Sequence, residues 1–183
     1  EIDRALRFMS AIGIDTDTNS NLREVDVWTS HEALLLGYEE SLTRRDSTSG
    51  NWYDCSAHLL WIGERTRELD GAHVELLRGV SNPIGCKVGP TMTGDEVIAL
   101  CEALNPAMIP GRLTLISRMG ADIVEDHLRP LLRAVKDAGH PVVWACDPMH
   151  GNTFTAENGR KTRHLDAVIA EIEGFVRAHR AEG

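Results

Sequence analysis

The sequence predicts an α/β fold built from repeated strand–helix units, on three observations. Short, nearly continuous apolar and β-branched runs alternate with longer stretches of helical period. The later runs recur at close to thirty residues, and the residues just after each run are polar and charged. Of the 183 residues, 42% are hydrophobic, 26% charged and 5% aromatic, the balance of an ordinary soluble globular domain. A domain of this order buries roughly 70% of the surface its unfolded chain exposes, so neither disulfides nor a structural metal are needed for stability.

Taken in order, Ile2 to Ile12 reads as a leading helix and Asp15 to Ser20 as a loop. The first strand is expected at Val25 to Trp28, followed by Ser30 as the cap of a helix beginning at Glu32. Asp46 to Gly50 is a loop, and Leu59 to Ile62 and Ile84 to Val88 are the second and third strands. Thr93 with Glu96 three residues on is a capping-box pattern, opening a helix that carries Val97, Leu100, Cys101 and Leu104 on one face. After a fourth strand at Leu113 to Ile116, the helical period resumes through Ile123, Val124, Leu128, Leu131, Leu132 and Val135. Pro130 either kinks that helix or opens a second one, and Gly139 ends it in a left-handed conformation. Val142 to Ala145 is the fifth strand, and Leu165, Val168, Ile169, Ile172, Phe175 and Val176 mark the last helix.

The strand runs are apolar throughout, as in strands covered on both faces. Starts at Leu59, Ile84, Leu113 and Val142 are 25, 29 and 29 residues apart, near the ~31 of an eight-unit barrel of ~250 residues. Such a repeat closes into an eight-stranded barrel or spreads into a doubly wound open sheet, and the period fits both. Five strands would complete an open sheet but leave a barrel three short. Residues 1–183 read as one unit, with 1–20 a leading helix and loop and 21–183 the βα repeats.

Charge narrows the partners. Nineteen Lys plus Arg against 28 Asp plus Glu give a net charge of −9, which excludes a nucleic-acid binder and disfavours an anionic membrane surface. No apolar run approaches the ~20 residues of a membrane span. Cys55, Cys86, Cys101 and Cys146 stand singly, and the chain opens on Glu1-Ile2-Asp3-Arg4 rather than a basic then apolar leader; a cytoplasmic location is expected.

In either architecture the ligand site lies at the carboxyl ends of the parallel strands. There stand Thr29-Ser30-His31-Glu32, then Gly63-Glu64-Arg65-Thr66-Arg67, Lys87, Ser117-Arg118 and Asp147-Pro148-Met149-His150-Gly151-Asn152-Thr153, with Arg160, Lys161 and Arg163 beyond. Two of the chain's three lysines fall here. Arg65, Lys87 and Arg118 on successive strand ends form an anion clamp, since guanidinium forks and an ammonium match phosphate and carboxylate oxygens. Against it stands the plainer reading of three surface charges or salt-bridge partners. Gly159-Arg160-Lys161-Thr162 only superficially resembles a P-loop, because Phe154 occupies the place of its first glycine. His150, with Asp147 and Cys146 near, is the metal candidate, since a mixed imidazole, thiolate and carboxylate set suits a first-row ion; its plainer reading is a hydrogen-bonding loop histidine. Cys86 and Cys146, inside strands, read as small core residues.

The runs Ser56 to Arg67, Gly85 to Pro90, Gly111 to Gly120 and Cys146 to Thr153 resemble the class II 3-deoxy-D-arabino-heptulosonate 7-phosphate (DAHP) synthases. Thr29 to Glu32 and Lys161 to His164 also follow the family's pattern, so the likeness covers nearly the whole chain. The resemblance implies a metal-dependent (β/α)8 TIM barrel that joins phosphoenolpyruvate to erythrose 4-phosphate and releases phosphate, the first step of the shikimate pathway or of a secondary-metabolic branch. By matching motifs, Glu64, Arg65, Lys87 and Arg118 would hold phosphoenolpyruvate, with Lys87, Arg118 and Arg65 catalytic. His150 would ligate Mn²⁺ or Co²⁺, and Glu32 and Lys161 would contribute less directly. It also implies that the five strands are the third to seventh of eight. The first two strands and the last, with the remaining metal ligands, would then lie outside these residues and the isolated chain would be inactive. The alternative is a noncatalytic half-barrel that binds or regulates once a partner chain covers its unpaired sheet edges; a homo-oligomer or a complementing chain is the expected assembly.

Overall fold

A computed structural model describes residues 2–14 and 27–183. Its elements are, in chain order, α1 (Ile2–Ala11), β1 (Ser30–Glu32), α2 (Leu36–Leu42), β2 (Thr43–Arg45), β3 (Trp52–Asp54), β4 (Leu59–Ile62), α3 (Ala72–Arg78), β5 (Ile84–Val88), α4 (Gly94–Leu104), β6 (Leu113–Ser117), α5 (Val124–Asp137), β7 (Val142–Cys146), β8 (Phe154–Thr155), β9 (Lys161–Thr162) and α6 (Leu165–Glu182). Five strands form one sheet in the order β1-β4-β5-β6-β7, every neighbouring pair parallel. That order follows the chain without reversal, and consecutive helices α3, α4, α5 and α6 touch one another in turn. A doubly wound sheet reverses its strand order at a switch point; the described strands show none, as in a partial barrel-like unit.

The core lies between the helices and one face of this sheet. Leu60, Ile62, Ile84, Cys86, Val88, Leu113 and Leu115 are buried against Val74 and Leu77 of α3, Leu100 and Leu104 of α4, and Leu128 and Leu131 of α5. Each fully buried leucine or isoleucine contributes roughly 1.5–3 kcal/mol. The strands are not covered on both faces as their composition suggests. Side chains alternate across a strand, and the other face presents Trp61 beside Gly85, Thr114 and Val143, then Lys87 beside Ile116 and Ala145. Those side chains range from half-buried to exposed, with only Gly85 buried.

Local signals at helix ends behave as their chemistry requires. Glu96 N–H donates to Thr93 Oγ1 (3.3 Å) while Thr93 N–H donates to Glu96 Oε2 (2.8 Å), completing the capping box of α4. Thr93→Ala is expected to cost about 1 kcal/mol, read as a lowered urea midpoint at unchanged slope; an unmoved midpoint would show that the cap contributes nothing. Helix α5 runs through Pro130 as one element. It ends where Gly139 takes φ +74° and His140 N–H reaches back to the Val135 carbonyl, a closure that needs the left-handed region open to glycine.

The amino-terminal part departs from the sequence reading. Val25 and the Asp15 to Ser20 loop lie outside the described residues, while Val27 and Trp28 are 70% and 74% exposed and outside any strand. The strand at this edge is Ser30–Glu32, in register with Leu59–Trp61. Ser30 therefore caps no helix, and α2 begins only at Leu36. Three polar residues carry no strand signal; pairing with β4 makes them one. The short antiparallel pairs β2-β3 and β8-β9 were likewise not expected from the sequence.

Candidate anion site at the carboxyl ends of the strands

Lys87 is the fourth residue of β5 and points from the open face of the sheet. Its ammonium lies 5.6 Å from the centre of the Trp61 ring and is ion-paired with Asp147, one residue past β7. The two side chains are 13% and 11% exposed. Asp147 is held by its own N–H on the Ser117 carbonyl (2.7 Å), and it accepts Met149 N–H on Oδ1 (3.1 Å). Its Oδ2 also meets His150 Nδ1 at 2.6 Å. Burial would push the Asp147 carboxyl up, but the Lys87 ammonium, the Met149 N–H and His150 outweigh it and hold the group below the ordinary carboxylate range. An ionised carboxylate has no proton to offer, so His150 Nδ1 must carry the hydrogen, and in the neutral ring Nε2 keeps the lone pair. The ring is 61% exposed. A carboxylate behind Nδ1 is the usual support of a histidine that binds metal through Nε2.

The donor set fits a metal only in part. Among the described residues no three His, Cys, Asp or Glu side chains converge to hold an ion. Asp147 is already engaged by Lys87 and His150. The Cys146 thiol is pushed up to about 12, chiefly by burial with Glu171 and Asp147 adding to it, so with no metal bound it is protonated at neutral pH. His150 Nε2 is the exposed donor of this set.

Arg118 follows β6 directly. Its N–H bonds the Val88 carbonyl (2.9 Å), and its guanidinium Nη2 donates to the His150 carbonyl (3.2 Å). Lys87, Asp147, His150 and Arg118 thus form one connected cluster across β5, β6 and β7. Glu64 and Arg65 sit differently. Glu64 Oε1 accepts Nε and Nη2 of Arg67 (both 3.1 Å), and its carboxylate lies so close to Gly89 that a Cβ there would fall 2.5 Å from Oε1. Glu64 Oε2 is buried with no partner. Arg65 is exposed and makes no ion pair among the described residues. Glu32 rests its carboxylate against Gly63. Lys161 is exposed on β9, without an ion pair among the described residues, although the strand's exit is pinned by Arg163 Nε on the Met149 carbonyl (2.7 Å).

Three contributors escape sequence reasoning. Trp61 stands beside Lys87 because Gly85 leaves it room: a Cβ on Gly85 would meet Trp61 Cβ at 2.9 Å. Its two-residue offset from the polar loop gave the only signal. Glu171 and Asn152 tie together the loops after β6 and β7; Asn152 stands in the polar run after the fifth strand, but nothing local marks its bond to Glu171, which leaves no trace itself. No described helix is long and apolar enough to cross a membrane.

Residues 1–183 match the model of the family described as the class-II DAHP synthetase family. The chain is 56% identical over 182 residues to a protein of Catharanthus roseus named probable phospho-2-dehydro-3-deoxyheptonate aldolase, chloroplastic, and 50% identical over 183 residues to the phospho-2-dehydro-3-deoxyheptonate aldolase of Streptomyces coelicolor. All of this chain aligns, but it spans only 37% and 40% of those relatives' length. The plant relative's name places that protein in the chloroplast, so the relatives are not confined to the cytoplasm.

Proposed function

The chain belongs to the class-II DAHP synthetase family, and from that premise we propose that it forms the phosphoenolpyruvate-binding portion of a 3-deoxy-7-phosphoheptulonate synthase. The observation that carries this reading is the juxtaposition of Lys87 and Arg118 with His150 at adjacent strand ends of an acidic chain. In this role Lys87 and Arg118 hold the phosphate and carboxylate of phosphoenolpyruvate. Arg65, exposed and without an ion pair among the described residues, closes on the same anion, and Glu64 forms the rim with Arg67. Glu32 and Lys161 complete the mouth at the first strand and at the β8-β9 hairpin.

The condensation joins C3 of the enol to the aldehyde carbon of erythrose 4-phosphate, water adds at C2, and phosphate leaves with cleavage of its bond to C2. Holding the two reactants at contact distance lowers the entropic barrier. Lys87 and Arg118, already fixed by Asp147 and the His150 carbonyl, meet the charge that gathers on the departing phosphate without reorganising. His150 would hold Mn²⁺ or Co²⁺ through Nε2, and a bound ion would supply the Lewis acidity that polarises the aldehyde oxygen.

The open sheet face around Trp61, Lys87 and Ile116 fits the interior of an eight-stranded barrel in which the five parallel strands are the third to seventh. The described residues offer a single metal ligand and two unpaired sheet edges, and in this reading the 183 residues are inactive alone. A protein of the relatives' length that carries them is expected to consume phosphoenolpyruvate only when erythrose 4-phosphate and Mn²⁺ or Co²⁺ are present, releasing one phosphate per C7 product. The assay follows loss of enolpyruvate absorbance and free phosphate together. Phosphate release without erythrose 4-phosphate, or no reaction at all, would overturn the assignment.

A further inference from the structure

We infer that Glu171 is a positioning residue that sets Arg118 and His150 relative to one another, acting through the two loops that carry them. The inference rests on the reading of the site given above. Glu171 lies two turns into α6 and is 0% exposed. Among the described residues it has no cationic partner. Its oxygens accept two donors instead: Met119 N–H (2.8 Å), next to Arg118, and Asn152 Nδ2 (2.6 Å), two residues past His150.

Asn152 completes the link. Its Oδ1 accepts Ala121 N–H (3.0 Å), and its Nδ2 also donates to the Pro148 carbonyl (2.8 Å). Between these bonds the two loops touch through glycines. Gly120 takes φ +106°, and a Cβ on Gly151 would fall 2.5 Å from the Gly120 nitrogen. The only described hydrogen bond from Arg118 to His150 is a single contact to a carbonyl at 3.2 Å. Their separation is therefore governed by the backbone behind them, and that backbone is fastened by the Glu171 carboxylate together with the Asn152 amide it holds. Burying a carboxylate without a counter-charge is costly, and here the cost is offset only by donors that the two site loops supply.

Glu171→Gln tests this in the protein of full family length. The substitution keeps the shape but turns one acceptor into a donor pair, which must face either Met119 N–H or the Asn152 amide. Expected are a rise of roughly 10–100-fold in KM for phosphoenolpyruvate and in the Mn²⁺ dissociation constant, the size of effect seen when groups supporting a ligand are removed. Amide exchange at Met119 and Ala121 should quicken in parallel. Glu182→Gln, on the same helix but bonded to Arg129 and Arg133 outside the site, serves as the control for a merely structural loss. It should leave both constants within twofold.

Asn152→Ala reads the same link if the first variant folds poorly, and the double variant should be no worse than the more severe single one, because both break one network. Unchanged KM, metal affinity and amide exchange in folded Glu171→Gln, or equal losses in Glu182→Gln, would overturn the inference. If the parent protein makes no product, the functional reading fails on its own, while amide exchange at Met119 and Ala121 still decides whether Glu171 holds the loops.

Discussion

Arg118→Ala lowers kcat/KM for the condensation by about 10³-fold in the protein of full family length, with its unfolding midpoint nearly unchanged. The size follows from the task proposed for the guanidinium: removing one preorganised donor to developing oxyanion charge costs roughly 10²–10³-fold, and a fork that makes two such bonds falls at the upper end. The small effect on stability follows from the structure. Arg118 is half-buried, its side chain makes one 3.2 Å bond to a carbonyl, and its N–H bond to Val88 survives in alanine. Substitutions of this kind stay within about 0.5–1 kcal/mol. Steady-state kinetics beside a urea titration check both halves. Activity within tenfold of the parent would remove Arg118 from the anion site.

Lys87→Met is expected to damage function and stability together. It deletes the second cation, and it leaves Asp147 buried beside an apolar side chain. Breaking a fully buried ion pair from one side costs about 3–5 kcal/mol; here the side chains are 13% and 11% exposed and Asp147 keeps His150 and the Met149 N–H, so the expected cost is about 1–3 kcal/mol. Adding Asp147→Asn removes the stranded charge, so the double variant should regain more than half of the lost stability and none of the activity.

The pH dependence has a definite sign. In the parent, Asp147 is held below the ordinary carboxylate range, so its stabilisation is complete above about pH 4 and is lost as pH falls through the lower folded value. In Lys87→Met the main cause of that lowering is gone and burial remains. Protonation then relieves the variant, and its deficit should be largest at pH 7 and shrink as pH falls toward 4. Urea midpoints across that range test this; a deficit independent of pH would mean that the pair is not what stabilises the site.

Much of the site was legible because its residues lie where the apolar runs stop. Leu59–Ile62 and Ile84–Val88 are bounded in the structure as their composition predicts, and Lys87, Arg118 and His150 follow from reading the ends of such runs. The anion clamp drawn from the sequence was only partly assembled, however. Lys87 and Arg118 join one cluster, whereas Arg65 stands exposed and Glu64 is bonded to Arg67. The direction a side chain takes after a strand depends on neighbours from other strands, which local pattern does not encode.

What the sequence by itself determined are features set by neighbours in the chain: the apolar strands, the Thr93 capping box, the Gly139 helix end, and the order of polar strand tips. Only the tertiary structure decided that Ser30–Glu32 is a strand, that the strand order never reverses, and that Glu171 fastens the loops bearing Arg118 and His150. The reason is range. A cap or an apolar run closes its interactions within a few residues, but the bonds from Glu171 reach 52 and 19 residues along the chain. Their partners are chosen by how helices and strands pack, and that choice exists only once the sheet has formed.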